Sequence, residues 1–298
     1  MKFELLDPRP VGKEANDKVL SQDCLGIEVT IPALAKGCTL GNIDPQHSGS
    51  DITTAAIEAV VHCSLPPVDA TLVTVRADLD SVGAMAVLTM RAQGIELSEE
   101  IKARIGVIAD FDKFSNSGWT GPKEVPSRNN PWPDAREKSL SAMNLAVMDF
   151  KSTLSDRVAL MQDWLQSGSQ PEKYVSLAEA ARESMISALE KGEISYEIND
   201  GIAVVHSAHM AGTTIGYCLS PIVMLQNPKF RFQGGEPHVK FTICQLQAGL
   251  VDLMKVKEEL SSLEAGWGGS PTIIGSPQGV SSLLSLEQVM EVVIRNKK

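Results

Sequence analysis

Two aspartates one residue apart, Asp78 and Asp80, follow a short apolar run and precede a stretch of small residues, T-L-V-T-V-R-A-D-L-D-S-V-G-A-M-A-V-L over 71–88. The run Leu72, Val73, Val75 predicts a buried strand, and Ser81 stands as a cap at the start of a predicted helix. Acids crowded at the carboxyl end of a parallel strand lie where open α/β sheets place their ligands. Like charges that close are costly unless a cation or a proton shares the position, so a hard divalent metal is the first chemistry to expect. Three segments offer ligands: Asp44-Pro-Gln-His47, Asp78-Leu-Asp80 and Asp110-Phe-Asp112. Carboxylates with one imidazole suit manganese or magnesium, whereas a structural zinc site would call for cysteines. Taken singly, each aspartate has a plainer reading: Asp80 caps a helix, Asp110 closes a turn, Asp44 precedes a proline in a loop.

A second chemical feature is the glycine-rich stretch 266–282, G-W-G-G-S-P-T-I-I-G-S-P-Q-G-V-S-S. Its glycines let backbone N–H groups approach an anion and its serines add donors, with Gly268, Gly269 and Ser270 as the candidate contacts. Without a Gly-Lys-Ser/Thr ending it is not a nucleotide P-loop, and it reads equally as tight turns around a strand at 272–274. Arg231, His238 and Lys240 could bring positive charge to the same ligand, unless 233–238 is simply a surface hairpin. His206 and His209 form a His-x-x-His pair with no metalloprotease glutamate, open to metal ligation or to substrate contact.

The elements that must position these groups follow from periodicity. Residues 1–25 are polar and weakly patterned and read as a surface arm or an edge segment; 26–31 alternate as a strand; 51–63 have helical spacing with Asp51 as cap. The strand at 71–76 and the helix at 81–93 come next, then an apolar run, Ile105–Ala109, expected as a second strand ending in Asp110 and Asp112. Residues 115–134 are a Pro/Gly/Ser/Asn-rich loop, 135–191 are helical, and 192–201 are a polar connection. Beyond it strands are expected at 202–208, 221–225 and 240–246, with helices at 251–264 and 286–298. The fold class is therefore α/β: a parallel-sheet N-terminal domain with flanking helices over 1–195, and a smaller C-terminal α/β domain over 196–298.

The chain has 298 residues, 43% hydrophobic and 21% charged, with a net charge of -10. That charge argues against an extended nucleic acid as partner, while leaving room for a local cationic pocket that holds a small phosphorylated ligand. Five scattered cysteines, without metal-type spacing, read as reduced thiols of a cytoplasmic protein. No membrane partner is expected, for want of an apolar run of about 20 residues. A homodimer stays open.

These residues resemble a family. R-A-D-L-D-S-V-G-A at 76–84 resembles the first motif of the DHH phosphoesterase superfamily, I-A-D at 108–110 its second, and N-I-D-P-Q-H at 42–47 the Asp-His-His motif that names it. The strand 240–246, the helix after it and 266–271 resemble the DHH-associated substrate domain with its Gly-Gly-Gly-His segment. The resemblance implies Mn²⁺ or Mg²⁺ held by Asp78, Asp80, Asp110, His47 and Asp44, and hydrolysis of a phosphoester or phosphoanhydride in an inter-domain cleft. Asp78, Asp80, Asp110 and Arg76 would carry catalysis; His206, His209, Arg231, His238, Lys240 and 268–270 would face the substrate. The chain departs from the family pattern at Arg76, where a histidine is usual, at Pro45-Gln46 and at Ser270, and its Asp-His-His-like segment precedes the first motif. Arginine cannot ligate a metal but clamps phosphate well. The lost imidazoles imply weaker metal binding, one metal instead of two, or a degenerate protein that binds a phosphorylated metabolite or nucleotide without turning it over.

Overall fold

The computed structural model describes residues 1–6, 20, 22–45, 54–112, 122–246 and 248–298, without the side chain of Gln233. The chain is α/β and divides into two compact units, Met1–Lys113 with Asp134–Glu179, and Phe114–Pro133 with Ala180–Lys298. Among the described residues no helix is long and apolar enough to cross a membrane.

The first unit holds an all-parallel sheet of β1 (Lys2–Leu5), β2 (Cys24–Ile27), β3 (Asn42–Ile43) and β4 (Thr71–Thr74), in the order β1-β4-β2-β3. Its helices are α1 (Pro32–Gly37), α2 (Ala56–His62), α3 (Leu79–Ala92), α4 (Glu99–Asp112), α5 (Ala135–Val147) and α6 (Leu154–Ser167), followed by the first part of α7 (Glu172–Glu190). Both faces of the sheet are covered. Leu25, Ile27 and Leu72 pack with Ile57, Met85, Ile108 and Met143 on one side; Cys24, Val73 and Val75 pack with Leu34 on the other. Burial on both faces makes these strands read as short continuous apolar runs. All four strands end on one sheet edge, which brings the residues after β2, β3 and β4 together.

The second unit carries a six-stranded sheet ordered β5 (Ile194–Asn199), β6 (Ile202–Ser207), β7 (Ile222–Phe230), β8 (His238–Gln245), β10 (Ile273–Gly275), β9 (Gly268–Ser270). Only β6 and β7 run parallel, joined through α8 (Gly212–Leu219). On one face Val204, Met224, Phe241 and Ile243 pack against α9 (Leu253–Leu263) and α10 (Leu286–Arg295). On the other, Ala203, Val205 and Val223 meet Met185 and Ala188 of α7 and Ile215 of α8.

Four sequence expectations need correction. Ile105–Ala109 is not a strand but lies inside α4, because Ile101, Ile105, Ile108 and Ala109 recur at helical spacing and are the residues it buries. Of residues 1–25, Lys2–Leu5 is the edge strand β1, as one of the two readings had it, but Cys24 belongs to neither an arm nor an edge, since it opens the inner strand β2. The strand expected at 26–31 stops at Ile27, where Glu28 adopts φ 51°. The polar connection 192–201 contains β5, which forms a hairpin with β6; its polarity reflects an edge strand exposed along most of its length. The expected cap Asp51 lies outside the described residues.

If α4 is a helix with this inward face, Ile108→Ala should cost about 2–5 kcal/mol in chemical denaturation, as buried Ile truncations do. Lys102→Ala, on the exposed face, should stay within about 0.5 kcal/mol.

Candidate metal centre

Asp80 sits in the first turn of α3 and is 1% exposed. Its two carboxylate oxygens accept hydrogen bonds from the first backbone amides of α2, Ala56 N–H at 2.8 Å and Ile57 N–H at 2.7 Å. Those amides are the orphan donors that every helix start must satisfy. Gly83, one turn on, lets the Ile57 side chain of α2 lie against α3, since a Cβ there would sit 2.6 Å from Ile57 Cδ1. Asp78 is the N-cap of α3, accepting from Ser81 N–H at 3.0 Å, while the Ser81 hydroxyl donates to Arg76 O at 2.7 Å. This local network fixes the turn between β4 and α3.

The second acid at the sheet edge is Glu28, the residue following β2. Its amide continues the ladder to Ile43 O at 2.9 Å, after which the chain leaves the sheet. The side-chain amide of Asn42 clamps the next residue, accepting from Val29 N–H and donating to Val29 O, each at 3.2 Å. Glu28 is held 8% exposed in the left-handed region, a conformation that costs a non-glycine residue about 1–2 kcal/mol. Asp112, the last residue of α4, supplies the third carboxylate. One oxygen each from Glu28, Asp80 and Asp112 lies within 4.8 Å of the others. Asp112 stands at the negative end of its helix dipole in a last turn without a basic residue, which adds to the need for a cation.

The electrostatics follow from the crowding. Burial, then the charges of Asp80, Asp78, Asp112 and Asp44, push Glu28 up to about 10. Asp80 is pushed up to about 7 by burial and by Asp112, although the Ile57 and Ala56 amides pull the other way. A set of buried oxygens that resists ionising together fits a hard divalent cation, whose charge would relieve the repulsion; the donor set offers no soft ligand.

The other expected site residues are distributed differently. Asp44, just after β3, is buried and close enough to Glu28 to act on it. Asp110 is on the exposed side of α4, its carboxylate 62% exposed and 3.7 Å from Arg136, so the structure does not bring it to the cluster. Arg76 is 79% exposed and paired with Asp78 Oδ2 at 3.2 Å. His47 lies outside the described residues. His206 and His209 do not share a helix: His206, in β6, contacts Gln226 Oε1 at 2.8 Å, and His209, in the following loop, contacts Ser184 Oγ at 3.2 Å and accepts from Ala211 N–H at 3.1 Å. Arg231 donates to Gly235 O at 3.0 Å. His238 is buried edge-on to Phe230, with ring centroids 5.4 Å apart. Buried Lys240 donates to Ser276 O and is held below its usual range by desolvation. Gly268, Gly269 and Ser270 form β9, hairpinned to β10; at Gly269, φ 138°, a Cβ would lie 2.1 Å from Ile273 O.

Sequence reasoning did not single out Glu28 and placed Asp112 only within its segment. The signal for Glu28 was an acid closing an apolar run, C-L-G-I-E, the same pattern that singled out Asp78 and Asp80.

No protein-family profile and no curated protein matches the chain. Among solved structures, the pGpG-specific phosphodiesterase PggH from Vibrio cholerae resembles it with a TM-score of 0.44 and 8% identity, covering 92% of this chain and 98% of that one.

An acid whose folded-state pKa is raised favours the folded chain while protonated and loses that contribution as pH climbs. With a chelator present, stability should therefore fall between about 4.5 and about 10 on account of Glu28, and between about 3.8 and about 7 on account of Asp80. Glu28→Gln should raise the metal-free unfolding midpoint at pH 8 by several degrees, at about 2–4 °C per kcal/mol for a unit of this size, and flatten the pH profile.

Proposed function

We propose that the first unit is a divalent-cation-dependent phosphoesterase of the DHH type acting on a small phosphorylated substrate. The observation that carries this reading is the carboxylate triad of buried Glu28, buried Asp80 and half-buried Asp112, with oxygens within 4.8 Å, at the carboxyl edge of a parallel sheet. Mn²⁺ or Mg²⁺ suits an oxygen donor set of this kind. When bound, such a cation supplies a Lewis acid to a phosphoryl oxygen and lowers the pKa of water.

The chain's own residues divide the remaining work. Asp80 is held rigidly by the start of α2, so its oxygens need no reorganisation on binding. Glu28 and Asp112 come from separate elements and close the set. Arg76 is tethered through its Nε to Asp78, which leaves the terminal guanidinium N–H groups to engage non-bridging phosphate oxygens. Asp78 is a positioning residue in this scheme: it caps α3 and sets the direction of Arg76. An arginine in place of the family's usual histidine exchanges a metal ligand for a phosphate clamp.

Mn²⁺ at about 100 times its dissociation constant should raise the stability of the natural chain by about 2.7 kcal/mol in thermal unfolding. Asp112→Asn should abolish that shift. Arg76→Ala should keep the shift while lowering kcat/KM on a phosphodiester by about 10²–10³-fold, the scale of losing one transition-state donor. Full activity in Asp112→Asn would overturn the assignment.

A further inference from the structure

The second unit carries a feature that the proposed chemistry does not use. Strand β5 ends its sheet: it pairs with β6 from Ile194↔Ser207 to Asn199↔Ile202, and its other edge has no neighbouring strand among the described residues. Five of its six residues are exposed, among them Tyr196 at 43% and Ile198 at 58%. Two recesses border this strand. The pairing Glu197↔Val204 puts Glu197 on the α10 side, at a groove of about 560 Å³ floored by Val204, Met290 and Ile294. Tyr196 and Ile198 point to the opposite face, where Tyr196, Ile186 and Leu189 line a recess of about 310 Å³ beside α7.

A strand laid along β5 would find backbone partners on one side, and its alternating side chains would reach both recesses. The charge of the rim selects what that strand carries. Glu197, Glu287 and Glu291 border the larger groove, and its one cation, Arg295, is already engaged by Glu259 at 3.3 Å and by Glu291 at 3.4 Å. Glu193 and Asp200 flank the strand. A second copy of the chain is a poor occupant, because antiparallel β5–β5 pairing would set these acids against each other. Acidic edges suppress self-pairing while leaving the edge open to a strand of opposite charge. We propose that β5 is a docking edge for an extended segment of a partner protein in which apolar and basic residues alternate.

The probe is an eight-residue acetylated and amidated peptide of alternating lysine and valine, titrated into the full chain and followed by fluorescence anisotropy and amide hydrogen exchange. Salt-sensitive binding with slowed exchange over 194–199, weakened at least fivefold in Glu197→Lys, is the expected result. A Glu287→Gln, Glu291→Gln double variant, altered only on exposed positions of α10, should weaken binding in the same direction if Glu197→Lys compromises folding. The same peptide with glutamate for lysine should not bind. Protection elsewhere on the chain, or equal affinity in both variants, would overturn the proposal. So would no binding at all, or a dimer whose β5 is protected without peptide.

Discussion

The mutual repulsion of Glu28, Asp80 and Asp112 is the constraint around which the first unit is arranged. Three carboxylates with oxygens within 4.8 Å of one another, two of them buried, oppose folding unless protons or a cation intervene. Each is nevertheless held by a specific local device. Asp80 accepts the first two amides of α2, Glu28 is turned inward by a left-handed backbone and the Asn42 clamp, and Asp112 ends a helix on the same face that Ile101, Ile105 and Ile108 build into the core. A sequence that maintains costly groups with such precise support is storing strain where function is expected.

The parallel sheet makes the convergence possible. Because β2, β3 and β4 are adjacent and run in the same direction, residues from 28, 44 and 78–80 meet at one edge despite their separation along the chain. The position of the Asp44 segment before the Asp78 motif in sequence is therefore no obstacle to their proximity, since strand order in space differs from strand order in the chain. Rigidity comes from the packing beneath: α3 is buried from Asp80 to Leu88, so the motif at its start cannot shift without disturbing the core.

Much of this was legible in the sequence where local signals agreed. The β4–α3 unit was readable because an apolar run, a capping segment and small residues point to one answer, although the cap is Asp78 and not the expected Ser81, which lies one turn further on. β6, β7, β8, α9 and α10 were readable from their apolar spacing, whereas β5 and the short α8 were not expected. Ile105–Ala109 misled because β-branched residues favour strands, whereas four buried positions at helical spacing needed tertiary context to outweigh that preference. Glu28 escaped because a single acid ending a four-residue strand differs little from ordinary alternation; only the pairing of β2 with β4 reveals what it faces. Asp110 was singled out over Asp112 through the resemblance of I-A-D at 108–110 to a motif whose aspartate ends a strand. In a helix the two point to different sides, and Asp112 turns inward.

The most direct test of the central claim is a crystal of the full chain grown with Mn²⁺ and measured at the manganese absorption edge. An anomalous peak about 2.1 Å from oxygens of Glu28, Asp80 and Asp112, absent in crystals of Glu28→Gln, is the predicted result. A peak bound elsewhere, or none at saturating manganese, would contradict the reading of these three carboxylates as a metal centre.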